Sequence, residues 1–533
     1  MKKYIISMAC ALLMGEACLT SCSEEEDVLQ PMNPVRVAIH AVIDGGIGSR
    51  VSLTDDAANR EVKVDWKAGD AFSIPVNGTP YTFTYDETEG KFFCNAENFP
   101  ATFTQGGTVT ATYPATAPTG HATQGGTLEA AAGLIAMNAT LDVAAGQSTQ
   151  GLKLVFNHQS AILKMTATNT DFAGKPVDVS FSATGLLADG NSIATAAPVT
   201  ADANGSVTVY FAVPSTTTSL SNATLSVSCS EVGYSATLNS AKQLEAGKLY
   251  NINKEAVRDF EITTADDGKT TYTVNTYAGL QAWRAAVMNE DGTMKDADLN
   301  LTLGMDIILP AVAEDGSNWT PVGGYVTDVG YQYYKGIIDG AGHTISGLVI
   351  NSSNQGGNGF IGMMDGGSIT NLKLADVRVT GSSSTGALVG LATDTNISNC
   401  EVTGTVSGSG YMGGLIGTQS RGEIIGCINR AAVTTTDQYA GGIVGYAYGL
   451  TISECGNYGS VAASHESGYA GGMAGYAFRL TIQNCINYAA SITGKLAGYL
   501  VGYAEASINF SDCKNQSGND DLVEYGFFYD SEF

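Results

Sequence analysis

A short glycine motif recurs six times in the second half of this 533-residue chain and constrains its fold more than any other feature. The last glycines of successive copies lie 28, 27, 28, 30 and 27 residues apart, at Gly362, Gly390, Gly417, Gly445, Gly475 and Gly502. Self-similarity at this period predicts a solenoid in which each repeat is one coil and stacked coils bury a shared face. With about three short strands per coil, we expect a parallel β-helix. The glycines would permit positive φ at corners and close approach of backbones.

One position of every repeat is apolar and is nearly always cysteine. It lies ten residues after the last glycine, or eleven in the sixth copy, at Leu372, Cys400, Cys427, Cys455, Cys485 and Cys513. Stacked coils would place these side chains about 4.8 Å apart. Three interpretations remain open. The odd number of cysteines and the leucine favour a structural ladder of buried thiols. Disulfides would require Cβ atoms about 3.8 Å apart, and a metal site would require further ligands at the same period. We predict neither metal nor cofactor.

Tyrosines recur beside the glycine motif. They precede or follow it at Tyr411, Tyr439, Tyr446, Tyr469, Tyr476 and Tyr503. On a solenoid flank they would form an aromatic strip that stacks on sugars or packs on protein. The alternative is that they cover a sheet edge or fill coil corners.

The positions of the acidic residues test the alternative that this protein is an enzyme. Many β-helix proteins cleave polysaccharides, and such chemistry needs clustered carboxylates. Between 370 and 513 the acids occupy scattered repeat positions: Asp376, Asp394, Glu401, Glu423, Asp437, Glu454, Glu466, Glu505 and Asp512. Asp306 and Asp339 lie in motifs typical of turns. We therefore predict a protein that is not an enzyme, with a polysaccharide lyase or hydrolase as the alternative.

The net charge of the chain excludes another class of partner. Lys and Arg number 26 against 52 Asp and Glu, which gives a net charge of −26. Nucleic acid and anionic lipid are bound through Lys and Arg contacts to phosphate, so we expect no nucleic-acid partner and no basic membrane patch.

The repeat segment, about residues 299–515, resembles the GLUG repeat family of surface proteins, named for the G-x-x-G motif. Segments upstream, such as Trp319–Gly323 and Gly336–Ile345, resemble the opening coils seen before such repeats. Between this region and the preceding one, Asn275–Asn289 carries apolar residues at helical spacing and predicts a short amphipathic helix that caps the solenoid.

Residues 35–255 alternate apolar and polar side chains between turns, as in Tyr81–Tyr85 and Val177–Phe181. This pattern predicts half-buried antiparallel strands forming one or two β-sandwiches. Four phrases resemble the fimbrillin-like proteins of Bacteroidetes, which have two sandwich subdomains: Trp66–Asp70, Ala111–Pro114, Phe156–Leu163 and Ala246–Tyr250. His158, within the third, is interpreted as structural and not as a catalytic base, because no nucleophile signature lies beside it.

The fimbrillin-like resemblance implies assembly by β-augmentation, in which a subunit accepts an extended strand from another pilus subunit. It also implies that an N-terminal strand is removed before assembly, with Arg36 and Arg50 as candidate cleavage sites. An intact N-terminus would suit an anchor subunit instead.

The N-terminus predicts export and a lipid anchor. Lys2 and Lys3 precede an apolar run too short to span a bilayer, which is typical of a cleaved signal peptide. Leu19–Cys22 resembles the lipobox of bacterial lipoproteins, which implies cleavage before Cys22 and acylation of that cysteine. Ser23–Asp27 resembles the acidic signal that sends Bacteroidetes lipoproteins to the outer face of the outer membrane; the alternative is a solvated linker.

The sequence thus predicts an all-β protein with six segments: signal peptide 1–21, acidic tether 22–34, β-sandwich region 35–255, linker and capping helix 256–298, solenoid 299–515 and C-terminal cap 516–533. The expected function is that of an outer-membrane, lipid-anchored adhesin or pilus-associated subunit that binds glycan or a host or bacterial surface protein. A stand-alone surface glycan-binding lipoprotein is the alternative.

Overall fold

The computed structural model describes residues 37–43, 55–56, 61–62, 66, 68–96, 98–116, 121–187, 192–214, 217, 219–238, 241–246, 248–313, 316–352, 356–515 and 528–529. Within these residues the protein is almost entirely β, with a predominantly antiparallel N-terminal part and a parallel β-solenoid, as predicted from the sequence. No helix in these ranges is long and apolar enough to cross a membrane.

The first N-terminal subdomain is a seven-stranded closed barrel. Its strands are Val37–Ile43, Ala71–Val76, Thr79–Asp86, Lys91–Cys94, Gly107–Tyr113, Met137–Val143 and Lys153–His158. Most neighbours are antiparallel, but the first strand closes the barrel by pairing in parallel with the last. Alternation in the sequence shows which face of a strand is buried and does not show its partner, so this closure was not predicted. A separate hairpin pairs Asp55–Asp56 with Glu61–Val62.

Three of the quoted N-terminal phrases meet in the barrel core. The buried Asp70 carboxylate accepts a hydrogen bond from the Tyr113 hydroxyl at 2.9 Å. The Trp66 ring lies edge-on to Tyr113, with centroids 5.3 Å apart, and to Phe156 at 5.8 Å. These sequence-distant phrases therefore form one packed junction.

The second N-terminal subdomain is a sandwich of two sheets. One sheet has the strands Ser206–Val213, Ala161–Thr168 and Leu249–Glu255. The other has Val257–Arg258, Val232–Leu238, Ser219–Cys229, Pro176–Thr184, Ser192–Thr195 and Thr123–Gln124, with Val199–Thr200 and Lys242–Gln243 at its side. Leu163 and Phe211 of the first sheet share a buried core with Phe181 and Leu225 of the second. A short helix, Leu128–Ala132, and a 3₁₀ turn, Thr170–Phe172, connect strands.

The solenoid has three parallel sheets, to which we refer as sheets A, B and C. Sheet A begins with the antiparallel hairpin Phe260–Thr264 and Thr270–Val274 and continues through Asn300–Leu303, Ile337–Asp339, Ile361–Asp365, Ser368–Thr370, Val389–Ser398, Ile416–Ile425, Val444–Tyr448, Thr451–Ser453, Ala474–Gln483, Val501–Ser511 and Phe528–Tyr529. Sheet C contains Thr385–Gly386, Tyr411–Gly413, Tyr439–Gly441, Tyr469–Gly471 and Leu496–Gly498.

Sheet B contains Ile307–Ile308, Thr344–Ser346, Val349–Ser352, Lys373–Gly381, Glu401–Gly408, Ile428–Asn429, Ala432–Thr435, Gly456–Asn457, Val461–Ala463, Ile486–Asn487, Ile492–Thr493 and Lys514–Asn515. One hairpin, Gly324–Val326 with Gly330–Gln332, protrudes from the early coils. All three sheets bury one continuous apolar core.

The capping helix expected within Asn275–Asn289 spans Tyr277–Val287. Thr276 accepts the Gly279 amide hydrogen bond at its N-terminus, as Ser and Thr often do at this position. The buried Trp283 ring stacks over Phe360, with centroids 6.3 Å apart, and lies edge-on to Tyr334 at 5.7 Å. The helix therefore closes the first end of the solenoid core.

The glycine motif is explained by crowding. A Cβ on Gly441 would lie 1.9 Å from the Val444 carbonyl oxygen, and one on Gly442 would lie 2.2 Å from the Gly472 carbonyl oxygen. Both φ angles lie outside the left-handed region, so these glycines provide space for neighbouring backbone and not an unusual conformation.

The left-handed corner lies elsewhere, directly before the repeated cysteine position. The residues there have φ between 52° and 63°: Asn371, Asn399, Gly426, Glu454, Asn484 and Asp512. Asn, Asp and Gly tolerate this conformation best, which accounts for five of the six.

Candidate functional site

The six predicted tyrosines lie together on one flank of the solenoid. Tyr411, Tyr439 and Tyr469 stack in register on adjacent strands of sheet C. Tyr446, Tyr476 and Tyr503 do the same on sheet A. Parallel strands in exact register repeat each side chain at the strand spacing, so a sequence period becomes a column of rings. We call the two columns together the tyrosine ladder.

Ring orientation in the tyrosine ladder is governed by the neighbouring coils. Within a column, centroids lie 4.6–5.6 Å apart with interplanar angles of 7–24°. Between columns the contacts are tilted or edge-on, as for Tyr439 and Tyr476 at 5.3 Å. The columns therefore form a single aromatic cluster.

This ring orientation leaves fewer ring faces open to a ligand than the sequence suggested. A ring with a stacked neighbour on both sides, such as Tyr439 or Tyr476, has neither face available for a sugar. The inner part of the tyrosine ladder instead presents ring edges and hydroxyl groups. Burial raises the pKa of Tyr439 to about 12, and burial together with a hydrogen bond to Glu505 raises that of Tyr476 as well. The Tyr439 hydroxyl is thus a neutral hydrogen-bond donor at physiological pH, whereas Tyr476 is buried and its hydroxyl donates to Glu505.

Two further aromatic columns were missed by the sequence analysis. Tyr448 stacks on Phe478 at 5.0 Å, two residues beyond Tyr446 and Tyr476 on the same outward face of sheet A. This i+2 spacing was the available signal. On the sheet B side, Tyr458 stacks on Tyr488 at 4.2 Å, and the Arg430 guanidinium covers Tyr458 at 4.2 Å.

The repeated cysteines form the predicted columnar arrangement inside the coil. All five are free thiols; four are buried and Cys513, at the last rung, is half-buried. Each amide nitrogen of Cys400, Cys427 and Cys455 lies 3.4 Å from the sulfur of the next rung. The hydrogen bond with the Cys455 sulfur, together with burial, raises the pKa of Cys485 to about 12. In the described part of the chain, no group of three or more His, Cys, Asp or Glu is placed to hold a metal ion.

A buried asparagine column lies two residues after the cysteines and was also missed. The Asn429 amide donates to the Asn457 side-chain oxygen at 2.8 Å, and Asn457 donates to Asn487 at 3.0 Å. Each asparagine also bonds to backbone two residues ahead, as Asn457 does with Gly459. The recurring C-x-N pattern in the last four copies was the signal.

Several acids of the repeat region form structural contacts. Asp394 forms a two-point ion pair with Arg421, and Glu401 pairs with Arg430 at 2.7 Å. The Asp339 carboxylate accepts the Ala341 amide hydrogen bond, as expected for a turn former, whereas that of Asp306 accepts the amide of Thr344, 38 residues away, and so joins successive coils. Asp376, Glu454 and Asp512 occupy left-handed corners. Folding does not gather these acids into a carboxylate cluster within the described coils.

His158 is buried at the end of a barrel strand. Neither ring nitrogen has a hydrogen-bond partner, and burial lowers its pKa to about 4. An imidazole held neutral with no adjacent nucleophile matches the structural interpretation.

Several predictions fall on residues outside the described ranges: the signal peptide, the lipidated Cys22, the acidic tether, Arg36 and Arg50 as cleavage sites, and most of the C-terminal cap. Of that cap, Phe528–Tyr529 pairs with sheet A, extending it by one strand.

Comparisons with known proteins agree with the predicted repeat. The family model of the GLUG motif matches residues 381–407. Halomucin of Haloquadratum walsbyi is 28% identical over 319 residues, which cover 52% of this chain. The match spans 3% of halomucin's own length.

Among solved structures, a candidate cell adhesion protein from Bacteroides ovatus is 16% identical, with 41% of this chain and 91% of that chain covered and a TM-score of 0.29. Another from Bacteroides uniformis is 20% identical, with 46% and 99% covered and a TM-score of 0.25. A fimbrial protein from Bacteroides ovatus is 14% identical, with 44% and 54% covered and a TM-score of 0.22.

Proposed function

We propose that this protein is a cell-surface adhesin, held at the outer face of the outer membrane by lipid on Cys22, that binds a glycan or a surface protein through the flank of its solenoid. The observation that carries the proposal is the tyrosine ladder. It offers a rigid, half-buried aromatic surface whose hydroxyl groups repeat at the coil spacing. Such surfaces combine apolar contact with hydrogen bonding and are typical of binding sites.

Binding is favoured over catalysis by the state of the acidic groups. Two acids of these coils have partners: Glu505 accepts the hydrogen bond of the Tyr476 hydroxyl, and Asp394 forms an ion pair with Arg421. General acid and base chemistry on a glycosidic bond requires two carboxyl groups facing a shared space. A polysaccharide-cleaving enzyme is therefore the least supported alternative.

Pilus association is proposed from the fimbrillin-like phrases. In that role, other subunits would be joined by strand addition after loss of the N-terminal strand. Mass spectrometry of the mature N-terminus separates the alternatives: an acylated Cys22 on all molecules supports an anchor or a stand-alone glycan-binding lipoprotein, whereas a terminus after Arg36 or Arg50 supports a polymerised subunit.

Adherence of producing cells tests the adhesin itself. The double variant Tyr411→Glu with Tyr469→Glu places two charges on the tyrosine ladder and should abolish adherence. Its matched control, Tyr325→Glu with Tyr331→Glu, alters two exposed tyrosines on the protruding hairpin and should leave adherence unchanged. Circular dichroism establishes that both fold. Equal adherence of both variants and the wild type, or release of reducing sugar from a polysaccharide, would refute the proposal.

A further inference from the structure

The aromatic columns begin abruptly, and small hydroxyl side chains occupy the positions before them. On sheet A, Thr418 precedes Tyr446 and Ser420 precedes Tyr448 in register. On sheet C, where the column begins one coil earlier, Ser384 adjoins Thr385, which pairs with the residue after Tyr411. The Ser384 and Thr418 hydroxyl oxygens are 2.7 Å apart, which joins sheet C of one coil to sheet A of the next. Sheet A therefore has a step from a low, polar rung to a tall, aromatic one.

One ring face is open at this step. Tyr411 and Tyr448 each have one face covered by the next ring, Tyr439 at 5.5 Å and Phe478 at 5.0 Å. The other face of Tyr448 looks over Ser420 of the preceding coil, whereas Tyr411 is also contacted by Tyr446, with ring centroids 5.4 Å apart. Tyr411 and Tyr448 are 38% and 39% exposed, more than the other rings of these columns.

Tyr458 provides an internal comparison. It also begins an aromatic column and is 39% exposed. The Arg430 guanidinium lies over its outer face at 4.2 Å and is held there by Glu401. Exposure alone is therefore not enough, and the free ring face lies at the step.

An ion pair borders the step beside Ser420. Arg421 Nε and Nη2 each donate to an Asp394 carboxylate oxygen at 2.6 Å, and both side chains are about half exposed. The pair has no net charge, while its carboxylate and guanidinium retain capacity for further hydrogen bonds.

We propose that this step, formed by Tyr448, Ser420 and the Asp394–Arg421 pair, binds one pyranose ring of a neutral glycan. A pyranose has an apolar C–H face, which would lie on Tyr448, and hydroxyl groups at its edge, which would bond to Ser420 and to the ion pair. The neutral occupant follows from charge: the pair cancels locally, and a chain of net charge −26 repels carboxylated or sulfated sugars. This inference rests on the proposed function and specifies its ligand as a neutral glycan and its binding site as the step.

Binding to defined polysaccharides tests this site. The full mature chain, carrying Cys22→Ser so that it is not lipidated, is titrated with yeast mannan, laminarin and galactan as neutral probes and with polygalacturonate as the acidic probe. We expect saturable binding to at least one neutral probe, weakened about tenfold by Tyr448→Ser or Asp394→Asn, which corresponds to about 1.4 kcal/mol. Tyr448→Phe keeps the ring and should bind nearly as the wild type does, and Tyr458→Ser, outside the site, should bind equally.

Three results would overturn the site: no binding to any neutral probe, preference for polygalacturonate, or equal binding by Tyr448→Ser and Tyr448→Phe. Adherence that survives periodate oxidation of target-cell glycans would indicate a protein ligand. A protein ligand would refute the glycan site but not the proposal that the protein is an adhesin. Adherence that the tyrosine-ladder variants leave unchanged would refute the adhesin proposal.

Discussion

Replacing Asn457 with alanine should destabilise the solenoid far more than a typical polar substitution. The side chain is fully buried and takes part in four hydrogen bonds, with Asn429, Asn487 and both backbone groups of Gly459, at 2.8–3.2 Å. A net hydrogen bond contributes about 0.5–1.5 kcal/mol, and a buried group left without a partner costs about 1–3 kcal/mol.

The magnitude follows from what each partner retains. Asn429 keeps its bonds to the Ala431 backbone, and the Asn487 oxygen keeps the Ala489 amide at 3.4 Å. Only Gly459 loses its side-chain partner at both backbone groups. We therefore expect the free energy of unfolding to fall by about 3–4 kcal/mol.

Urea unfolding of the full chain, followed by fluorescence of the solenoid residues Trp283 and Trp319, measures this change. Trp66 also emits from the barrel, so the comparison is made in a Trp66→Phe background, in which the fluorescence comes from Trp283 and Trp319. Thr481→Ala, at a half-buried position of sheet A outside the asparagine column, is the control and should change stability by less than about 0.5 kcal/mol. A loss below about 1 kcal/mol for Asn457→Ala would show that the column is not a stabilising network.

Three further predictions concern single positions. Glu454 adopts φ 57° where other copies have Asn, Asp or Gly. Glu454→Gly should therefore increase the free energy of unfolding by about 0.5–1 kcal/mol and raise the melting temperature. An unchanged or lower melting temperature would contradict backbone strain at this position. Cys485 should resist alkylation by iodoacetamide at pH 8 until the chain unfolds, because its pKa is about 12 against 9.0 for an unperturbed thiol, and stability should decline as pH rises from about 9 towards 12; rapid labelling of the native chain would show an accessible thiolate. His158 has a folded pKa of about 4 against 6.5, so the unfolded chain binds the proton first and stability should be lost as pH falls from 6.5 towards 4. His158→Gln should remove that slope in acid unfolding experiments, and an identical slope would assign it to another group.

The solenoid was predictable because its information is periodic. The interval between Gly417 and Gly445 fixed the coil length, and the equal offset of Cys427 and Cys455 placed both on one column. A residue's column depends only on its position in the repeat, so the six tyrosines could be grouped without knowing the fold in detail.

The features that the sequence did not predict depend on side-chain conformation and on strand pairing. The side-chain torsion of Tyr439 is determined by rings above and below, so the sequence could not show that their faces would be covered. Burial of Asn457 was not predicted, because burying a side-chain amide is unfavourable unless stacked neighbours satisfy its hydrogen bonds. In the barrel, the parallel partner of Val37–Ile43 lies more than a hundred residues away, and alternation does not encode that pairing.

The left-handed corner before each cysteine makes the coil an exchangeable module. Gly426 and Glu454 occupy equivalent positions of successive coils. Removing residues 427–454 would therefore connect Gly426 to Cys455, which keeps the order of repeat positions and shortens each column by one residue. Gene duplication or loss of one such unit would therefore change the length of the solenoid without redesigning either end. Because the open face of Tyr448 lies where small residues give way to tyrosine, lengthening the aromatic columns would leave a single such step in the coil series.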